Sequence, residues 1–416
     1  MKKRAYALFA AAALSAVLWG CTKSKALPDP SPTAAEHTQK ETVDLVLWGA
    51  EEDEELLSQI VKDFKIHYQD EADFNITYAP QGESNCKDAL MGALEESADV
   101  FAFADDQLNT LVAAGALEPV EDAAKIAGEN LEGAVEAASV GDTLYAYPLT
   151  ADNGYFLYYN KHYVTDEDVK SLDKILAAAA RSQRKMAMDW SSAWYVYSFF
   201  GNTSLDVGLN KDGITNFCTW NGTDGPIKGV DVAKAMLNIA ASPGFYNVDD
   251  AGFLAGVQDG SVIAGVSGVW NAVAVKEAWG NDYGAAKLPT YTCAGKQVQM
   301  ASFSGYKLIG VNAYSKQYKW ACLLARWITN EKNQQLRFEL RGQGPSNRSA
   351  AASAAVQDSP AIAALIDQSD YSCLQRIGGK FWDPVSAFSL KMADGNPERE
   401  DLQTLLDLMV EGVTSP

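Results

Sequence analysis

The sequence predicts an α/β protein whose opening segment forms a parallel sheet. Two observations carry this. From Val43 onward, short apolar runs alternate with longer stretches of helical periodicity. Glycine and polar clusters punctuate the alternation, and a β-α-β-α-β order requires crossover connections between parallel strands. With 416 residues, 47% of them hydrophobic, the chain can bury cores in two domains.

The first strand is "VDLVLW", Val43 to Trp48. "EEDEELLSQIVKDFKIHY" follows as a helix, with Leu56, Leu57, Ile60, Val61 and Phe64 on one face. Acids crowd its first turn, where the helix dipole favours them. "FNITYA" is a second strand and "NCKDALMGALEES" a second helix. "DVFAF", Asp99 to Phe103, is a third strand, and the helix opened by "DDQLNTLVAAG" stops at Gly115. "YAYPLTADNGYFLYYNK" reads as two strands, Tyr145 to Leu149 and Tyr155 to Tyr159, around a polar turn holding Asp152 and Asn153. Helices follow over 172–184, 230–240 and 270–278, with "SVIAGVSG" a strand before the last. "FSGYKLIGVNA" is a strand, and "QYKWACLLARWITN" a helix presenting Trp320, Leu323, Leu324, Trp327 and Ile328.

The start of the chain is a targeting segment. "MKKR" is basic, and "AYALFAAAALSAVLW" is apolar but short for a bilayer span. "LWGC", Leu18 to Cys21, resembles a bacterial lipobox, which implies a signal peptide over 1–20 and a diacylglycerol-modified Cys21. An ordinary secretory signal with an incidental cysteine is the alternative. Residues 22–42 carry almost no large apolar side chain and read as a disordered tether. The remaining cysteines, Cys86, Cys218, Cys293, Cys322 and Cys373, form no close pair, so neither zinc nor a disulfide framework is indicated.

The net charge of −20 argues against nucleic acid and for a neutral or cationic small ligand. Ligands of a parallel α/β sheet bind beyond the carboxyl ends of its strands. There the sequence places Trp48 followed by Glu51, Glu52 and Asp53, and Phe103 followed by Asp105, Asp106 and Gln107. "MDWSSAWYVY" offers Trp190 and Trp194, "SGVWN" offers Trp270, and "GGKFWDPVSAF" offers Trp382 in a turn leading into a helix. Any one of these aromatics fits a core equally well. Their repeated pairing with acids suits a sugar, whose flat C–H face packs on a ring while its hydroxyls need carboxylates and amides. Other chemistry is weakly represented. Three scattered histidines make no HExxH, "GVSGV" lacks the last glycine of a nucleophile elbow, and "RGQGPSNR" lacks the lysine of a phosphate loop. Asp105 with Asp106 raises a glycosidase, but adjacent residues rarely face one bond together.

The order of "LVLW", "DVFAFADDQLNTLVAAGALEPV", "LYAYPLTADNGYFLYYNK", "GSVIAGVSGVWNAV", "YGAAKLPT", "FSGYKLIGVNAYS" and "FWDPVSAF" is similar to that of the maltodextrin-binding proteins. These are the extracellular solute-binding components of ABC-type sugar importers. The resemblance runs from about residue 43 to 416. It implies a two-lobed, type II periplasmic-binding-protein-like fold with a hinge and a central cleft, one lobe from 43–149 plus 304–349 and the other from 150–303 plus 350–416. It also implies a non-catalytic, monomeric protein without a cofactor that binds maltooligosaccharides, serves the permease subunits of an importer and is held to the outer face of the membrane by its lipid anchor. The residues it assigns to the ligand are Trp48, Phe103, Asp106, Asp152, Trp194, Trp270 and Trp382; the strand-end reading adds Glu52, Asp53, Gln107 and Asn153, and Asp383 follows the last Trp. Some positions depart from the family: Gln107 and Asp53 stand where well-known members have cations, Asp383 where a Tyr follows the last Trp, and Ser192 where they have Glu. The first-lobe contacts are thus less cationic, which leaves chain length and linkage open: an α-glucan is the leading expectation, a different oligosaccharide in the same fold the alternative, and a secreted glycoside hydrolase the more distant one.

Overall fold

The structure, a computed structural model, describes residues 40–415. The signal peptide, Cys21 and all of the tether up to residue 39 lie outside the described residues. Glu41 and Thr42, assigned to the tether by composition, instead begin the first strand, because they pair with Ala72 and Asp73.

One ten-stranded sheet runs through the molecule. At one end, Glu41–Gly49 lies between Ala72–Pro80 and Val100–Ala104, parallel to both. At the other end, Lys185–Met188 lies parallel between Phe245–Asn247 and Val262–Gly268. Two long strands join these sets. Tyr147–Asn160 pairs antiparallel with Val262–Gly268 on one side and Ser302–Val311 on the other, and Ser302–Val311 pairs antiparallel with Val100–Ala104. Tyr283–Ala286 and Ser372–Leu374 add to the long strands from the side.

The expected polar turn at Asp152 and Asn153 is therefore absent; both residues sit inside one continuous strand. Its ladder to Ser302–Val311 continues through Gly305↔Asn153, so extended pairing overrides the local turn composition. The same strand explains the all-apolar "YFLYY". Tyr155, Leu157 and Tyr159 enter one core, while Phe156 and Tyr158 enter another on the opposite face. Successive side chains alternate, and here both faces are covered.

A separate core gathers the first parallel set. Val43, Leu45 and Leu47 from the first strand meet Leu56, Leu57, Ile60 and Phe64 from helix Glu54–His67. Helix Tyr318–Ile328 adds Trp320, Leu324 and Ile328, while Leu323 and Trp327 are only partly buried.

In the largest core, a row of aromatics leads outward to the surface at Trp382. Phe200 stacks on Trp220 at 4.1 Å and 5°. Phe381 sets its ring edge-on to Trp220, Phe303 and Trp382. Phe381 is fully buried in the short turn before helix Trp382–Ala393, whereas Trp382 opens that helix half-buried. Phe381→Ala should lower the unfolding free energy by about 3–5 kcal/mol, the usual cost of emptying a large aromatic site. Trp382→Ala should lower it by less than half as much, because its ring rests on the core without filling it. Urea denaturation of both variants checks the ranking, and equal losses would place Trp382 in the core.

Candidate functional site

Every strand of the two parallel sets sends the loop after its carboxyl end to one cleft. Ala50, Glu51 and Glu52 follow the first strand, Gln81 to Asn85 with Lys87 the second, and Asp105 to Thr110 the third. From the other set come Asp189 and Trp194, then Asp250, then Trp270 and Asn271. The cleft has a volume of about 1410 Å³. This exceeds the usual small-molecule pocket of roughly 300–1,000 Å³ and suits a chain of linked rings.

Three indoles form the aromatic wall. Trp194 stacks on Phe303, centroids 5.4 Å apart and 26° between planes, and its carbonyl accepts from the Tyr155 hydroxyl at 2.9 Å. Trp270 donates its Nε1 to Asp250 Oδ2 at 3.0 Å. Ser267 and Asn271 donate to the other oxygen of Asp250 at 2.7 and 3.1 Å, so the carboxylate and through it the indole are held in place. Gly268 makes room for this: a Cβ there would stand 2.0 Å from the Trp270 ring. Trp382 completes the wall, its ring 5.0 Å from and edge-on to that of Phe381.

The opposing wall is polar. Lys307 Nζ reaches Glu83 Oε1 at 3.2 Å. Burial would lower the Lys307 pKa, but Glu83, Asp53 and Asp152 together raise it, so it stays charged. Asp105 accepts from the Tyr306 backbone N–H at 2.9 Å through Oδ1, and Asp106 accepts from Gln375 Nε2 at 3.1 Å through Oδ2. Among the described residues, the second oxygen of each carboxylate, Asp105 Oδ2 and Asp106 Oδ1, is buried without a partner. Burial pushes the Asp105 carboxyl up to about 7. Burial, followed by the neighbouring Asp105 charge, pushes Asp106 to about 7 as well.

The cleft brings together Glu52, Asp106, Gln107, Asn153, Trp194, Trp270, Trp382 and Asp383 of the residues named from sequence. The others lie off its wall, each for its own reason. Trp48 is not terminal, because the strand runs on to Gly49, and it lies half-buried against the first core. Phe103 is fully buried in that core, opposite Leu308. Asp53 is buried by Arg337 and Arg341, the latter donating from Nε at 2.9 Å. Burial alone would raise the Asp53 pKa, but Arg337, Lys307 and Arg341 hold it down at about 2. Asp152 is buried and accepts from the Gly344 N–H. Even Gln107, which borders the cleft, spends its amide on the protein: it accepts from Lys87 N at 2.8 Å and donates to the Glu83 and Ser84 carbonyls. Its role is to shape the loop that carries Glu83 and Lys87. Trp190, which fits core or site from sequence alone, is fully buried.

Sequence reasoning missed Lys307, Glu83, Asp250, Gln375 and Arg376, all of which border the cleft. Lys307 carried a signal: a lysine inside the apolar strand "FSGYKLIGV" needs a buried anion. The described residues contain no cluster of three His, Cys, Asp or Glu side chains able to hold a metal. Their five cysteines are free.

Comparison with known proteins agrees with this architecture. A model of the bacterial extracellular solute-binding proteins matches residues 59–364. The galactooligosaccharide-binding protein of Bacillus subtilis (strain 168) is 27% identical over 386 residues, spanning 89% of this chain and 87% of that protein. A solved structure described as "with acarbose" superposes with a TM-score of 0.80 at 29% identity, covering 90% of this chain and 99% of its own. The maltodextrin-binding protein from L. casei BL23, without ligand, gives 0.73 at 26% identity, covering 90% and 100%. The fold is accordingly the two-lobed, periplasmic-binding-protein-like α/β fold.

The unpartnered carboxylates make stability depend on pH. A carboxyl whose pKa is raised on folding binds more protons in the folded state than in the unfolded one. Stability therefore falls as pH rises from the ordinary value of 3.8 through about 7. Asp105→Asn removes that loss while keeping Oδ1 as an acceptor for Tyr306. The variant should be more stable than the parent by at least about 1 kcal/mol at pH 8, and by less at pH 5. Chemical denaturation at both pH values checks it; a variant less stable at pH 8 would mean that Asp105 is ionised and satisfied.

Proposed function

We propose that this chain, which belongs to the bacterial extracellular solute-binding protein family, captures maltooligosaccharides in its cleft and delivers them to an ABC importer. The observation that carries the reading is the pairing of two unlike walls. Trp194, Trp270 and Trp382 line the cleft from one parallel set and the C-terminal helix, while Glu83, Asp105, Asp106 and Lys307 supply hydrogen-bonding groups from the other set and the long strand. A neutral pyranose needs both, because each buried hydroxyl must keep a partner. The platforms come from three different elements. That suits the curved α-1,4 chain, whose successive rings face different directions.

In this reading the lobes are 43–149 plus 304–349 and 150–303 plus 350–416. One core draws on 43–149 and 308–328, and the largest core on 155–303 and 377–413, in support of that division. A ligand touching both walls stabilises closure by its differential affinity for the closed state. Asp106, whose Oδ2 accepts from Gln375, borders the cleft as one of its polar contacts for a sugar. The bound sugar leaves chemically unchanged, as a solute-binding role requires. The B. subtilis relative supports a second reading, a galactooligosaccharide in the same cleft.

Calorimetry against maltose through maltoheptaose and against galactooligosaccharides separates the two. Maltotriose or a longer maltooligosaccharide should bind with a dissociation constant on the order of micromolar and be recovered intact. Trp382→Ala should weaken it by about 2 kcal/mol, as loss of an aromatic anchor does. Binding of the galactose series alone would replace the first reading by the second, and cleavage of the sugar would overturn both.

Membrane anchoring through Cys21 belongs to the same proposal, supported by the "LWGC" motif. Two or more acyl chains make a stable anchor. Cys21→Ala should release the protein from the membrane fraction of its cells with sugar affinity unchanged. A variant that still sediments with the membrane contradicts the anchor.

A further inference from the structure

We infer that the hairpin Val207–Leu209 and Asn216–Cys218 forms an outer subsite of the cleft, in which Ile214 covers the apolar face of a distal sugar ring and sets the preferred chain length. The inference deepens the oligosaccharide reading above and rests on it.

Ile214 is 76% exposed, yet it borders the cleft together with Leu209 and Gly213. A large aliphatic side chain on a loose surface loop would need no explanation. This turn is firmly built. The Asp212 carboxylate accepts from the backbone N–H of Ile214 and of Thr215, both at 2.9 Å, and from the Thr215 hydroxyl at 2.5 Å. Gly213 lies at φ +70°, where glycine alone is unstrained. Below the turn, Asn210 N donates to the Thr215 carbonyl at 2.8 Å and closes the hairpin.

The hairpin is also fixed to the element that carries Trp382. Asn216 accepts from Gly378 N at 2.7 Å and donates to the Gly378 and Val413 carbonyls. The Ile214 carbonyl packs so closely that a Cβ on Gly378 would stand 2.3 Å from it. Gly378 precedes the turn Gly379–Phe381 that launches Trp382. Ile214 is thus held rigidly near the last aromatic platform, at the edge of a cleft larger than a disaccharide needs. The occupant that fits is the next ring of the same chain, whose C–H face has no indole to lie on beyond Trp382.

The test is the length dependence of binding. Calorimetry on the parent and on Ile214→Ser should use maltose, maltotriose, maltotetraose, maltopentaose and maltoheptaose. Ile214→Ser should leave the melting temperature unchanged, because the side chain packs little. It should leave maltose affinity within twofold and weaken the chains of four or more rings by roughly fivefold, the effect of uncovering about half an aliphatic side chain. Ile214→Trp should strengthen those same chains. Equal loss at every length, or no loss at any, overturns the subsite. If galactooligosaccharides prove to be the ligand, the same series run with them decides the hairpin's role separately: loss confined to long chains keeps the subsite while the α-glucan reading fails.

Discussion

The antiparallel pairing of Tyr147–Asn160 with Ser302–Val311 is the constraint on which the rest of the molecule depends. Both strands serve more than one core. Tyr147 and Leu149 pack with the first parallel set, and Tyr155 and Leu157 with the second; Leu308 and Phe303 divide in the same way. Because side chains alternate, a slip of one residue would turn buried groups to the wrong face along the whole strand, so the register is strongly specified. The ladder breaks step at one place, on either side of Lys307. Irregularities of this kind bend a strand and re-aim a side chain. Here they bring a lysine from the middle of the sheet to the cleft, where Glu83 meets it.

Behind the cleft, buried charge is matched with care. Asp53 binds Arg337 and Arg341, Arg337 also donates to Gln343 at 2.7 Å, and Asp152 takes the Gly344 N–H. This network ties the start of helix Glu54–His67 to the end of helix Glu331–Arg341. Removing one partner from such a group leaves an uncompensated charge, which is far more costly than the intact pair is stabilising. Asp105 and Asp106 break that rule, each keeping one buried oxygen without a partner. Proteins tolerate such violations where function needs them. Here burial raises both carboxyl pKa values to about 7, so near neutral pH protonation relieves part of the cost.

Much of the fold was legible in the sequence because its local signals and its tertiary structure agree. The β-α-β-α-β start, the buried face of helix Glu54–His67 and the turn before Trp382 all follow from periodicity and breaker residues. The polar "TADN" inside a long strand was not legible, since its extended form is imposed by strands distant in sequence. Site reading failed in the same way. Strand ends could be placed, and of the acids after them Glu51, Glu52, Asp105 and Asp106 do border the cleft, while Asp53 does not. Whether Phe103 or Trp48 turns to the cleft or to the core depends on the exact strand end and on the face each residue takes, and a one-residue error reverses the answer. The charged floor was hidden because its members, Asp53, Arg337 and Lys307, are far apart in sequence and meet only across the finished sheet.

The aromatic wall shows how recognition and folding are kept apart in the same helix and strand ends. Phe381 and Trp382 are neighbours, yet one fills the core and the other faces the cleft. Phe303 plays the corresponding role beneath Trp194, and Gly268 together with Asp250 does so for Trp270. Each platform is therefore backed by a group held in the fold: Phe381, Phe303 and Gly268 do not line the cleft, and Asp250, which does, is itself fixed by Ser267 and Asn271. An indole held this way loses little further freedom when a ring covers it, which is the main cost of ordering a surface aromatic. The cleft wall and the core beneath it are thus built from neighbouring but separate side chains, so a substitution at the half-buried Trp382 disturbs the core less than one at the fully buried Phe381.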